Sequence, residues 1–230
     1  MIQKSNKALV LLSGGLDSTV VLSICKKLGY EVHAISFNYG QRHAVELEYA
    51  KFQANYFDCL THKIFNIEFF GGSALTDDIS VPQNRSVEKI PDDIPVTYVP
   101  GRNIIFLSYS AGYAEFNKIQ HIFIGVNSID YSGYPDCRKE FIDCFEKMVN
   151  KSTKQGLTGE KFKIHTPLIN LTKKEIIVLG SKNGVDFSKT SSCYNPELKK
   201  SCGVCDSCLL RSQGFNEAGI RDPKENIDNV

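Results

Sequence analysis

The hexapeptide Ser13-Gly14-Gly15-Leu16-Asp17-Ser18 follows a short apolar run and precedes a stretch with helical periodicity. Adjacent glycines let a backbone turn sharply and approach an anion, and the helix that follows directs unpaired N–H groups and a partial positive charge at it. Ser13 and Ser18 add hydroxyls, and Leu12 and Thr19 flank the same loop. The chemistry this predicts is the cradling of a phosphate chain, with an ordinary strand-to-helix turn as the alternative. The loop lacks the lysine and spacing of a Walker A motif, and its adjacent glycines without a third do not make a dinucleotide fingerprint.

A second constellation is Cys193-x8-Cys202-x2-Cys205-x2-Cys208, four thiols within sixteen residues. Four soft ligands suit tetrahedral Zn²⁺ in a closed structural site, and Gly203 permits the knuckle turn. An iron–sulfur run has similar spacings, but the Cys-Pro of the ferredoxin type is missing, so zinc is preferred. Cys25 and Cys59 lack partners at ligand spacing and read as small buried hydrophobes. Cys137 and Cys144 are seven apart, on one face of an expected helix.

The third is Gly125-Val126-Asn127-Ser128-Ile129-Asp130-Tyr131-Ser132-Gly133-Tyr134-Pro135-Asp136-Cys137-Arg138. Tyrosines to stack on, carboxylates to accept N–H groups and an arginine to pair with an anion suit a planar, hydrogen-bonding ligand. The plainer reading is a solvated turn in which Asp136 caps a helix.

Elements that would carry these residues can be read from periodicity. Apolar runs at Ala8–Leu12, Val32–Phe37, Lys63–Ile67 and His121–Val126 predict strands. Helical patterns fall at Thr19–Leu28, Ala44–Phe57, Asn103–Phe116, Arg138–Asn150 and Thr172–Asn183, the last opened by a Thr172/Glu175 capping box. This alternation predicts an α/β fold: a Rossmann-like parallel sheet with helices on both faces, plus a small C-terminal zinc-binding segment. The expected division is a nucleotide-binding domain over 1–185, a zinc segment over 186–221 and a frayed tail over 222–230. In such a sheet ligands bind beyond the strands' carboxyl ends where the winding reverses, which would pair the Ser13–Ser18 loop with the one after His121–Val126. Residues 71–101 carry four of the eight prolines and no sustained periodicity. They read as a flap beside the site, or else as an inert surface insertion.

The 27 basic and 26 acidic residues give a net charge of +1, which argues against a broad nucleic-acid surface. MIQKSNKALVLLSGG groups only about five apolar residues, too few for a secretory core or a bilayer span. A cytoplasmic protein without membrane or nucleic-acid partners is expected, in a compartment where thiols stay reduced.

SGGLDS resembles the loop of the PP-loop ATP pyrophosphatases, which cleave ATP between the α and β phosphates to adenylate an oxygen of the substrate. The long polar loop, Val99-Pro100-Gly101-Arg102-Asn103, Phe37-Asn38-Tyr39-Gly40-Gln41-Arg42-His43 and His165-Thr166-Pro167-Leu168 extend the similarity over essentially the whole chain. The branch they resemble is the 7-cyano-7-deazaguanine synthase family of the queuosine pathway.

The resemblance implies ATP-dependent conversion of 7-carboxy-7-deazaguanine and ammonia to the nitrile. It also implies Mg²⁺ near Asp17, one structural Zn²⁺ on the four cysteines and a homodimer. Carried over, Leu12, Ser13, Gly14, Gly15, Leu16, Asp17, Ser18 and Thr19 form the ATP site. Asp17, Lys173 and Arg102 are the catalytic candidates. Tyr39, Arg42, Arg102, Asn103, Asp130, Tyr131, Tyr134, Asp136 and Arg138 are the substrate contacts, with Asp130 or Asp136 on the base edge and Tyr131 and Tyr134 stacking. For Lys173, Arg42 and His43 a solvated helix face is the alternative, and His165 reads as a polar core residue. Rival readings are a tRNA-thiolating enzyme, which would need a tRNA surface, a glutamine-dependent synthetase, for which the chain has no room, and a zinc-binding adaptor.

Overall fold

The computed structural model describes residues 6–40, 45–68, 71–85, 93–127, 133–196 and 200–224. Five parallel strands form its sheet: β1 (Lys7–Leu11), β2 (Glu31–Asn38), β3 (Thr61–Asn66), β4 (His121–Phe123) and β5 (Lys163–His165). Their order is β3-β2-β1-β4-β5. The helices are α1 (Leu16–Lys27), α2 (Val45–Tyr56), α3 (Arg102–Phe116), α4 (Lys139–Ser152), α5 (Lys154–Leu157), α6 (Lys173–Lys182) and α7 (Asp206–Ala218). The expected α/β architecture is therefore present. No helix among the described residues is long and apolar enough to cross a membrane.

Strand alternation divides the core into two layers. Ala8 and Val10 of β1 face a cluster that includes Val20 and Val21 of α1, Ile176 and Ile177 of α6 and Phe215 of α7. Leu9 and Leu11 face the other cluster, with Leu107 of α3 and Ile142, Phe145 and Val149 of α4. Fully burying a Leu, Ile or Phe side chain stabilises by about 1.5–3 kcal/mol, so a one-residue register slip in β1 would forfeit both layers at once.

Three elements were not anticipated, among them the single-turn α5. β5 has three residues, too few for a period to show. The buried stripe of α7 has the helical spacing Ser207, Cys208, Arg211, Gly214, Phe215, but polar or small residues fill most of it, so hydropathy does not reveal it. Two expectations are corrected. Cys137 lies in a 3₁₀ turn before α4 because Arg138 is extended at φ −80, ψ 153, so it is buried while Cys144 on α4 is exposed. The expected fraying does not begin at Asp222, since Asp222 and Lys224 are buried; residues 225–230 lie outside the described set.

Candidate functional site

The sheet's winding reverses between β1 and β4, which pair directly through Ala8 and His121, Leu9 and Ile122, and Val10 and Phe123. The loops leaving these strands border a cavity of about 250 Å³. Ser13, Gly15, Leu16, Asp17 and Ser18 form one wall, and Ile124, Gly125, Val126 and Asn127 another. The two loops are pressed together, since a Cβ on Gly125 would come within 3.1 Å of the Ser18 nitrogen.

Within the Ser13–Ser18 loop, the Ser13 and Ser18 hydroxyls are 2.9 Å apart, and the Ser13 hydroxyl accepts the Gly15 N–H at 3.2 Å. Thr19 donates its hydroxyl to the Gly15 carbonyl at 2.8 Å, so it braces the loop from behind. Gly14 has φ +86, and a Cβ there would overlap the Glu46 carbonyl in the first turn of α2. Both features require glycine. The N-terminus of α1 thus opens toward the cavity without a side-chain cap, as a phosphate site requires.

Lys173 Nζ bonds both Asp17 carboxylate oxygens, at 2.8 and 3.0 Å. Lys173 is the first residue of α6, where the helix dipole disfavours a cation, and it is buried. The Asp17 carboxylate offsets that cost. The predicted capping box holds the turn, with the Thr172 hydroxyl accepting the Glu175 N–H and the Glu175 carboxylate accepting the Thr172 N–H. Gly214 of α7 gives Lys173 its space, because a Cβ there would overlap the lysine stem.

The opposite wall carries Tyr39, Arg102, Asn103, Phe106, Tyr134 and Cys137. Arg102 Nη1 donates to the Tyr39 hydroxyl at 3.5 Å. Burial alone would ease deprotonation of Arg102, but Tyr39, Tyr134, Cys137 and Asp136 outweigh it and hold the guanidinium charged. Tyr134 is buried, and its hydroxyl lies 2.7 Å from that of Thr97. The Cys137 thiol is pushed up to about 12 by burial and then by the Asp136 carboxylate, which makes it a poor nucleophile.

Not every predicted contact converges here. Asp136 accepts the Asn103 backbone N–H at 3.1 Å at the start of α3 and does not line the cavity. Arg138 is exposed at the start of α4 and also does not line it. Arg42, His43, Asp130 and Tyr131 lie outside the described residues. His165 ends β5 away from the cavity, with its ring stacked on Phe123 at 4.3 Å and Nε2 3.0 Å from His121 Nδ1. Burial, then His121, lowers its pKa to about 4. The polar-core reading of His165 fits this environment.

The described part of 71–101 is packed between the site and the cysteine segment. Leu75 lines the cavity, Ala74 and Val81 pack on the cysteines, and Gln83 bridges to Cys205. At its far end a Cβ on Gly133 would lie 2.5 Å from the Asp93 carbonyl.

The sulfur atoms of Cys193, Cys202, Cys205 and Cys208 all lie within 4.8 Å of one another. Metal–sulfur bonds of about 2.3 Å give tetrahedral edges near 3.8 Å, so the set fits one tetrahedral ion. Backbone N–H groups of Cys202 and Asn195 point at Cys193 Sγ, at 3.2 and 3.3 Å, and that of Tyr194 at Cys205 Sγ at 3.4 Å. Such bonds stabilise thiolates, and hydrogen bonds from Cys193 and then Cys208 pull the Cys205 thiol down.

Sequence reasoning missed Glu46, Leu75, Ser191, Ser192, Tyr194 and Ser207, all of which line the cavity. Ser191 donates its N–H to the Gly14 carbonyl at 3.0 Å, and its buried hydroxyl has no partner among the described residues. Its position two residues before Cys193 was the available signal.

A family profile described as "Queuosine biosynthesis protein QueC" matches residues 7–219. The chain belongs to the QueC family. A relative from Desulfatibacillum aliphaticivorans named 7-cyano-7-deazaguanine synthase is 55% identical over 98% of each chain. One of the same name from Citrifermentans bemidjiense is 56% identical over 94% of this chain and 96% of its own. Membership covers both the cavity and the cysteine cluster, since the match runs from β1 into the last turn of α7 and beyond.

Proposed function

We propose that this chain is a 7-cyano-7-deazaguanine synthase, converting 7-carboxy-7-deazaguanine and ammonia to the nitrile at the expense of two ATP. One observation carries this reading: the Ser13–Ser18 loop with its Asp17–Lys173 pair shares a cavity with Arg102, Tyr39 and Tyr134. This juxtaposition supports a phosphate cradle facing a site for a planar anion.

In the proposed reaction a substrate carboxylate oxygen attacks the α phosphorus of ATP, the bond to the β-phosphate oxygen breaks and pyrophosphate leaves. Ammonia adds to the acyl carbon, and AMP departs with the C–O bond pair to leave an amide. A second ATP adenylates the amide oxygen, and loss of AMP and N–H protons gives the C≡N bond. No side-chain nucleophile is needed, so the protein contributes position and charge.

Residues Leu12–Thr19 would hold the phosphates, and Lys173 would neutralise charge developing on the transferred phosphoryl group. Arg102 would pair with the substrate carboxylate, and Tyr134 and Tyr39 would border the ring. Asp17 would hold Mg²⁺ beside its Lys173 contact, and the ion would supply charge neutralisation on the phosphates. The four cysteines suit one Zn²⁺, which would brace the Ser191–Tyr194 wall. A homodimer in the cytoplasm completes the proposal.

Incubation with ATP, ammonium and 7-carboxy-7-deazaguanine should yield nitrile and AMP by mass spectrometry. Asp17→Ala should abolish substrate-dependent AMP formation and leave the far-ultraviolet circular dichroism unchanged. Full turnover by that variant would reject the assignment.

A further inference from the structure

The proposed reaction removes protons from nitrogen at both stages, when ammonia becomes the amide and when the amide becomes the nitrile. None of the roles assigned above accepts them. Of the carboxylates among the described residues that line the cavity, Asp17 is bound to Lys173 and Glu46 is not. Glu46 is partly buried in the first turn of α2, and no hydrogen bond or ion pair engages its carboxylate among the described residues.

The surroundings suit a base acting beside the phosphates. The Glu46 backbone carbonyl fills the space that a Cβ on Gly14 would occupy, so the helix carrying the carboxylate is seated against the phosphate loop. Three charged or titratable groups act on it from neighbouring elements: Arg102 on α3, Lys224 after α7 and Tyr39 after β2. Burial pushes the Glu46 carboxyl up to about 7, against the pull of Arg102 and Lys224. A base with a pKa near the working pH both exists in its active form and holds a proton once taken.

We propose that Glu46 is the general base that takes the nitrogen-borne protons in this reaction. In the first stage ammonia has formed a C–N bond to the acyl carbon and carries a positive charge. Glu46 removes one N–H proton, the electron pair stays on nitrogen, and AMP leaves as the C=O bond re-forms. In the second stage the adenylated amide has lost one N–H proton to water. Glu46, having passed its first proton to solvent between the stages, takes the other as the N–H pair becomes the new C–N π bond and the C–O bond to AMP breaks.

The proposal rests on the synthase reading, and the test separates the two. Acid-dependent exchange of labelled pyrophosphate into ATP needs only adenylation and no nitrogen. Its absence from the wild-type protein would reject the synthase reading itself. If the proposal holds, Glu46→Gln keeps that exchange within about threefold while nitrile formation falls about 10²–10⁴-fold. At saturating ammonium the variant also loses the limb of the wild-type profile that falls below about pH 7, and Glu46→Asp recovers part of the rate. Equal loss of exchange and nitrile formation would make Glu46 a binding residue and overturn the proposal. So would nitrile formation within threefold of wild type.

Discussion

Lys173 and Asp17 stand 156 residues apart in sequence, yet the lysine ammonium reaches both oxygens of the carboxylate, at 2.8 and 3.0 Å. Each belongs to the first turn of a helix, α6 and α1 respectively. Two positive helix ends and a buried cation thus converge on one loop, and the Asp17 carboxylate balances the cation. An anion entering there meets a field that is already organised, which is the condition for strong electrostatic stabilisation of a transition state.

Lys173→Gln is expected to lower AMP formation about 10²–10³-fold with little change in thermal stability, the range seen when one oriented charge stabiliser is removed. Gly214→Ala should lower activity through the same lysine, since the new methyl group would displace the lysine stem, and overpacking should cost about 1–3 kcal/mol. Steady-state rates beside urea denaturation would check both.

Metal analysis of purified protein should give one zinc per chain and a colourless solution. Cys205, fully buried in the cluster, is the ligand to remove. Cys205→Ser should lose the metal, lower the melting temperature and raise KM for ATP, because Ser191 and Ser192 lie just before Cys193 in the cavity wall. Brown protein with broad visible absorbance would contradict zinc.

Arg211 and Asp222 form a buried pair, Nε to Oδ2 at 2.6 Å and Nη2 to Oδ1 at 2.9 Å. Arg211 also donates to the Thr190 hydroxyl at 2.8 Å, and Lys224 Nζ to the Thr190 carbonyl at 3.0 Å. Asp222→Ala leaves a guanidinium buried without its counter-charge, which should cost about 3–5 kcal/mol in urea denaturation. Because Thr190 anchors Ser191, KM for ATP should rise as well. A stability loss under about 1 kcal/mol would show that the pair is not needed to dock the terminal segment.

His165 is neutral in the fold, its pKa lowered to about 4 by burial and by His121. The unfolded chain takes up a proton near pH 6.5, so this stabilisation is fully present above that pH and is lost as pH falls toward 4. Melting temperature should decline over that window, by the equivalent of about 1–3 kcal/mol, and His165→Gln should flatten the decline. A His165 resonance, assigned by its loss in His165→Gln, that titrates near pH 6.5 would contradict this environment.

Much of this protein was determined by local pattern. Alternating apolar runs and helical stretches specified the α/β class, because burying a strand or a helix face imposes a period on hydropathy. SGGLDS and the x2-spaced cysteines were legible because each acts within a few residues of itself. The Thr172/Glu175 capping box was equally local, and it formed as expected. Tertiary structure decided what depended on packing between distant segments. It brought Lys173 to Asp17, turned Asp136 away from the cavity to bond Asn103, and set Glu46 against Gly14. It also separated Cys137 from Cys144 at an extended Arg138, and buried α7 along a stripe of Ser, Arg and Gly that hydropathy cannot register. Sequence spacing carries information over a turn or two. Beyond that range, which side chains meet is set by strand order and by the contacts between helices on the sheet.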